Sequence, residues 1–498
     1  MPAPPPRSGR ATRLLAHRDA PVAVAAVAAM AWVLWGLDVP LVEDSLFWWV
    51  PKGLLVAESG PARVLAGDLP AVLHQGLTPQ TTPPQWAGGL PDYAHPTLWY
   101  TWLGLFLLAA PTVEATHLAC LVPAVAAAVG LVRLGERLGS GWAGLAALLL
   151  PPVFAQGWRP ELDLPLLATV PWALVALIDG AWPRFALLGT LAVACKEPGV
   201  LLAAPACWRA FRERRWRWMA LVPLGALLLW GLVHPEGLAR PETLPTAAWA
   251  WLSRDLPLAL RLVFIEQGRF LLLLLAPLLW RRWRDLPQQI VGVFGLTWVL
   301  FFSVVGFSTG DSPGFVLTHV RYFVPGMAAL AVLLASARAP LFLLALPGLL
   351  WAHARSPYGP EASLWGIDVA RAEALAAPAV RKSAAVGEVW VGSFQAAGLT
   401  QPWAGRVDRP VQGFRVYGAG TLPSALSVES AVFVADYGEP AGRLERGLTW
   451  TELTRWTVHE AHVVAYRVTG HKPGGAKGPQ QRAPQGAGPV PAPTPGGR

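Results

Sequence analysis

Long apolar stretches recur along this chain from residue 21 to residue 352, separated by short gaps that carry arginine or other polar residues. A run of about 20 apolar residues is the length that crosses a bilayer as a helix, so this pattern constrains the fold more than any other feature. Of the 498 residues, 54% are hydrophobic and 14% are charged. Soluble domains carry roughly a quarter charged residues, and so few would leave a soluble surface uncovered. The chain reads as a polytopic α-helical membrane protein. That excludes a soluble enzyme, a disulfide scaffold and a nucleic-acid-binding module as its main class.

Lysine and arginine number 40 against 31 acidic residues, a net charge of +9. Many of the arginines fall in short clusters between apolar segments, the signature of cytoplasmic loops rather than of a nucleic-acid surface. Cys120, Cys195 and Cys207 lie in or beside apolar segments without metal-ligand spacing and read as small packing residues.

Residues 1–20 are Pro-rich, carry Arg7, Arg10, Arg13 and Arg18, and read as a cytoplasmic tail. The first span, from about Pro21 to Leu37, lacks a small-residue cleavage site and is followed by acidic sequence, so it reads as retained. A polar loop over 38–95 should lie outside the membrane. Apolar segments follow at about 97–111, 115–132, 141–157, 161–180 and 184–206. The run from Trp208 to Arg217 holds five arginines against one glutamate and marks the cytoplasm. Further spans at about 218–233, 259–280, 287–307, 321–336 and 339–353 bring the count to about 11 transmembrane helices. Arg281, Arg282, Arg284 and Arg338 then fall inside, and the sequence after residue 354 falls outside.

Straight counting of the segments between 97 and 206 puts Arg133, Glu136 and Arg137 outside and Arg159–Asp163 inside. A second partition reverses both. In it, residues 97–132 hold one crossing plus a helix lying on the membrane, and 184–206 break at Lys196-Glu197-Pro198-Gly199 into two short helices. The second is favoured because Pro198 and Gly199 interrupt a helix and Lys196 is costly at the bilayer centre.

After Arg355 the composition becomes that of a soluble domain. Val386–Ser393, Val411–Tyr417, Ala431–Tyr437 and His462–Val468 are short, β-branched or aromatic, and predict strands; Arg371–Ala377 predicts a helix. The expectation is a small external C-terminal α/β domain over 355–470, with the transmembrane domain over 21–354. Residues 471–498 are rich in Gly, Pro and Gln without periodicity and predict a disordered tail.

Five places stand out chemically. Glu43 and Asp44 sit just past the first span, followed by Phe47, Trp48, Trp49 and Lys52. Alone, such a pair is an ordinary span end beside interface aromatics. His95-Pro96 opens the next apolar segment, where a proline suits a helix start. Arg159 and Asp163 stand four residues apart, the spacing of an ordinary helical ion pair. Lys196 is less ordinary, because the chain has five lysines and this one interrupts an apolar segment, so it asks for a partner or ligand. His319 and Arg321 place potential cations at an external helix entrance, where an anionic partner explains them.

In their order along the chain, these motifs resemble the GT-C superfamily of membrane glycosyltransferases. Most similar are the protein O-mannosyltransferase-like enzymes and the lipid A aminoarabinose transferases. The family's acidic pair after the first span is similar to Glu43-Asp44, with Trp48, Lys52 and Gly60 at the family's offsets. Its His-Pro signature resembles His95-Pro96-Thr97-Leu98-Trp99-Tyr100, and its Arg…Asp loop resembles Arg159…Asp163. Its lysine-bearing break resembles Lys196-Glu197-Pro198-Gly199, and its Arg-Tyr entrance resembles Arg321-Tyr322-Phe323-Val324-Pro325. The departures are Ser45 where the family has a second acid, Thr97 for a proline and Trp48 for a tyrosine.

The resemblance implies transfer of a sugar from a polyprenyl-phosphate donor to a cell-envelope lipid, glycan or protein at the external face of the plasma (inner) membrane. Asp44, with Glu43 second, would be the general base. Lys196, Arg159 and Arg321, with Lys52 and His319 behind them, would meet the lipid phosphate. His95 and Tyr322 would bind or position, and Asp163 would orient Arg159 or help hold a divalent cation; no other cofactor and no nucleic acid is expected. A transporter or flippase for a lipid-linked substrate, and a non-catalytic membrane scaffold, are the alternatives. Neither a repeat nor a midplane site supports the transporter.

Overall fold

The computed structural model describes residues 19–41, 45–59, 95–96, 98–157, 159–215, 217–233, 251–266, 269–279, 283–305, 320–337, 347–348, 365–417, 426–435, 448–459 and 461–471. The first helix, Ala20–Trp35, has a proline in its first turn, where the missing N–H costs nothing. Past it, a π-helical turn over Ser45–Trp49 leads into the helix Val50–Ser59, which packs on Leu98–Ala109. Glycine permits that packing: a Cβ at Gly53 would lie 2.9 Å from Leu103 Cβ, and one at Gly104 would lie 2.8 Å from Val56 Cγ1.

A long helix, Val113–Leu138, follows. Thr112 caps its start by accepting from the Ala115 N–H, and Gly139, at φ 118°, ends it in the left-handed conformation that glycine adopts without strain. Pro123 lies inside this helix and cannot bond the Ala119 carbonyl; the Trp102 indole donates to that oxygen at 2.7 Å instead. Residues 97–132 therefore hold one short helix and one long one. The chain returns through Trp142–Leu148 and Pro151–Gln156, runs along Asp163–Ile178, and returns again along Trp182–Cys195. At Lys196 the backbone is extended, and a 3-10 turn over Glu197–Leu202 then leads into Ala203–Arg212.

These hairpins give the helical body two unlike ends. At one, Arg133 meets Asp19 at 3.6 Å, Arg137 meets Asp179 at 2.6 Å, and Arg209 donates to the Leu177 carbonyl. Arg159, Asp163 and Lys196 lie at the other, one helix length away. The start of the first helix thus shares an end with Arg133 and Arg137, as the second partition requires.

The remaining helical segments include Val222–Val233, Leu256–Phe264, Leu286–Val305 and Val324–Ser336. The span expected at 259–280 is instead broken into pieces, with Phe270–Leu273 and Ala276–Leu279 following Leu256–Phe264. Arg269, 2% exposed, explains the break by donating to the carbonyls of Val263 and Leu262 at the preceding helix end. Of the span expected at 339–353, all but 347–348 lies outside the described residues. Among the described residues, Val113–Leu138 and Leu286–Val304 are long and apolar enough to cross a bilayer, and the other apolar helices are shorter. Outward-facing Leu228, Leu229, Leu232, Leu108, Val122, Leu187 and Leu300 are exposed, giving the body an apolar outer surface.

The C-terminal residues form a five-stranded sheet of order β2-β1-β3-β5-β4. Its strands are β1 Val389–Gly392, β2 Phe414–Tyr417, β3 Ala431–Ala435, β4 Leu448–Val458 and β5 Ala461–His471. β1 runs parallel to β2 and β3, while β5 is antiparallel to β3 and β4. The helix Trp365–Ala384 packs on the sheet, and Ser393–Thr400 forms the crossover between β1 and β2. Between strands, Ser427 and Ser430 donate to Glu388, which with Arg415 beside it holds that carboxyl below the usual range. This domain sits over the end of the helical body that holds Lys196. Arg371 lies 5.1 Å from the Trp35 ring, and the Leu41 N–H donates to the Ala404 carbonyl at 2.9 Å.

Candidate active site

Five charged side chains meet inside the apolar body at that end. Lys196 Nζ donates to Asp163 Oδ1 at 2.5 Å and lies 4.8 Å from the centre of the Tyr322 ring. Arg321 reaches Glu161 Oε2 at 3.2 Å, and Arg159 approaches Glu161 Oε1 at 3.9 Å. Arg159 and Glu161 are wholly buried, and Asp163, Lys196 and Arg321 are nearly so. Local structure explains each position. The helix ends at Cys195 and the backbone is extended at Lys196, while Asp163 is the first residue of its helix, where a carboxylate suits the helix dipole. Arg321 and Tyr322 occupy a 3-10 turn held by the Trp298 indole, which donates to the Tyr322 carbonyl at 2.7 Å. Phe302 stacks on the Tyr322 ring at 5.6 Å.

A second group adjoins the first through the Lys196–Glu197 peptide. His95 Nδ1 donates to both oxygens of Glu197, at 2.8 and 3.0 Å. Its ring meets Trp49 edge-on at 5.4 Å, Trp49 stacks on Tyr100 at 6.0 Å, and buried Lys52 lies 5.1 Å from the Tyr100 ring. The Trp99 indole ties this group to the other, donating to the Pro160 carbonyl at 3.1 Å.

Of the residues expected from sequence, Lys52, His95, Arg159, Asp163, Lys196, Arg321 and Tyr322 fall in this contiguous network. Glu43, Asp44 and His319 lie outside the described residues, as do Gly60 and Thr97. The chain at 159–162 is not helical, so the helical i, i+4 geometry does not hold there. Lys196 pairs with Asp163, and Glu161 stands between Arg159 and Arg321. Among the described residues, no group of three His, Cys, Asp or Glu side chains converges as a metal site. Glu161 and Glu197 were not expected to take part. Their signal in the sequence is weak, since each is a single carboxylate beside a more conspicuous cation.

Among the described residues, the two groups bring together the cations Lys52, Arg159, Lys196 and Arg321 and the carboxylates Glu161, Asp163 and Glu197. Removing such charges from water costs several kcal/mol each, and apolar packing of equal volume is usually as stable. Stability alone therefore does not account for the cluster.

No protein-family model and no curated protein matches the sequence. The structure is similar to the crystal structure of ArnT from Cupriavidus metallidurans bound to undecaprenyl phosphate, at 14% identity and a TM-score of 0.49, over 90% of this chain and 98% of that one. A likeness of that size carries neither an activity nor a ligand to this chain.

Proposed function

We propose that this chain is an integral-membrane glycosyltransferase of the GT-C type. It moves a sugar from a polyprenyl-phosphate donor to an acceptor hydroxyl at the face opposite its arginine-rich end. One observation supports the reading: Lys196 and Arg321, far in sequence from Arg159 and Asp163, join them and Glu161, 160 positions from Arg321, in one buried cluster. The proposed reaction forms a bond between the acceptor oxygen and the anomeric carbon, on the face opposite the departing phosphate, and breaks the bond from that carbon to the phosphate oxygen. Asp44 takes the acceptor proton. The negative charge growing on the lipid phosphate is met by Lys196 and Arg321, whose fields act strongly in a site with little water. Glu161 and Asp163 hold those cations in place before the donor arrives. A transporter reading fits less well, since the charges gather at one end rather than between repeats at the midplane.

The test is transfer by the purified full chain in liposomes, with polyprenyl-phosphate sugars and cell-envelope acceptors, read by mass spectrometry. Transfer is expected from the unaltered chain and not from Asp44→Asn. No transfer with any donor, or full activity in Asp44→Asn, overturns the reading or removes Asp44 from it.

A further inference from the structure

The C-terminal domain grips the main chain on both sides of Glu43 and Asp44. Upstream, the Leu41 peptide is held at both of its polar groups. Its N–H donates to the Ala404 carbonyl at 2.9 Å, and its carbonyl accepts from Arg406 at 2.7 Å. Two residues earlier, the Val39 carbonyl accepts from His117 Nε2 at 2.8 Å. Downstream, the helix Ser393–Thr400 packs against the turn Ser45–Trp49.

The gripping turn is itself built for this place. Arg406 pairs with Glu373 at 2.8 Å, and both side chains are 1% exposed, so the guanidinium is fixed before it reaches Leu41. Gly405 has φ 79°, and a Cβ there would lie 3.1 Å from Val113, at the start of the long helix. Gly398 leaves room for the arginine, since a Cβ there would lie 2.2 Å from Arg406 Cδ. A buried arginine spending a charged donor on a neighbouring backbone carbonyl fixes position more than it adds stability.

We propose that the C-terminal domain is a positioning element of the transfer site, with Arg406 as its positioning residue. It holds Leu41 and packs on residues 45–49, the described stretches that flank the acidic pair in sequence. The task given to Asp44 rests on the sugar-transfer reading; the grip itself does not.

Two full-length variants test it, Arg406→Gln and Gly398→Ala, the second keeping every charge while displacing the arginine. In hydrogen exchange, protection of the peptide covering residues 39–46 should fall about tenfold, while that of Val113–Leu138 stays unchanged. In transfer assays kcat should fall about a hundredfold with the donor KM within about twofold, as expected for a misplaced base beside an intact phosphate site. If Arg406→Gln does not fold, Gly398→Ala decides. Unchanged protection at 39–46 with transfer intact refutes the grip, and a raised donor KM at unchanged kcat refutes its positioning role. Absence of transfer by the unaltered chain refutes instead the proposed function and Asp44's task within it.

Discussion

Lys196 shows what a single side chain contributes here. A lysine buried in an apolar body needs a polar partner to offset its desolvation, and Asp163 provides one at 2.5 Å. Replacing Lys196 by Met strands that carboxylate, at a cost of about 3–5 kcal/mol. Under the proposed function it also removes a charged donor to the lipid phosphate, worth about 1.5–3 kcal/mol, or roughly ten- to a hundredfold in donor use. The double variant Lys196→Met with Asp163→Asn separates the two effects. Thermal denaturation should show its stability largely restored, while donor kcat/KM stays depressed; recovered transfer would mean that Lys196 serves the fold and not the phosphate. In sequence, Lys196 was conspicuous because lysine is rare and the segment around it is apolar. Its partner was not legible, because the i, i+4 rule assigned Asp163 to Arg159 across a stretch where Pro160 opens no helical turn. Glu161 was equally hidden, its partner Arg321 lying 160 residues away.

At the scale of elements, the site depends on a helix that stops where it does. Gly199 allows the 3-10 turn to fold back on the preceding helix, since a Cβ there would lie 2.5 Å from the Ala192 carbonyl carbon and 2.6 Å from Val193 N. Those are backbone atoms and cannot step aside. Gly199→Ala should therefore cost about 1–3 kcal/mol and shift Lys196. Transfer should fall about a hundredfold for a displacement near 1 Å. Gly225→Ala is the control, because a Cβ there meets nothing within 4 Å and alanine favours a helix. Melting temperature and kcat should drop together for Gly199→Ala and stay level or rise for Gly225→Ala; equal behaviour would remove the break from the mechanism. The break itself was legible, as Pro198-Gly199 within an apolar run has few other readings. The interruption near Arg269 was not, because it arises from an arginine reaching back to carbonyls of the previous turn. β4 was missed for a different reason. Most of its residues are exposed, so Leu448–Val458 mixes Thr, Trp, Glu and Arg without the alternation that a half-buried strand shows.

The whole molecule is polarised along its helices. Arg133, Arg137 and Arg209, with Arg212, Arg214 and Arg215 close behind in sequence, gather at one end; the buried cluster and the C-terminal sheet occupy the other. Arginine clusters of this kind remain on the cytoplasmic side during insertion, since moving them across the bilayer is costly. If that rule sets the orientation, the cluster and the sheet face outward together, and acceptors reach the site without entering the cell. Labelling decides the point. Cys120 and Cys195 are buried, so Cys207→Ser leaves a quiet background. Into it go Val386→Cys, on an 85% exposed site of the C-terminal domain, and separately Arg215→Cys at the arginine-rich end. A membrane-impermeant maleimide added to intact cells should label Val386→Cys at once and Arg215→Cys only after permeabilisation. The reverse pattern would turn the molecule over, put Asp44 on the cytoplasmic side of the bilayer, and leave an external acceptor out of reach of the proposed base.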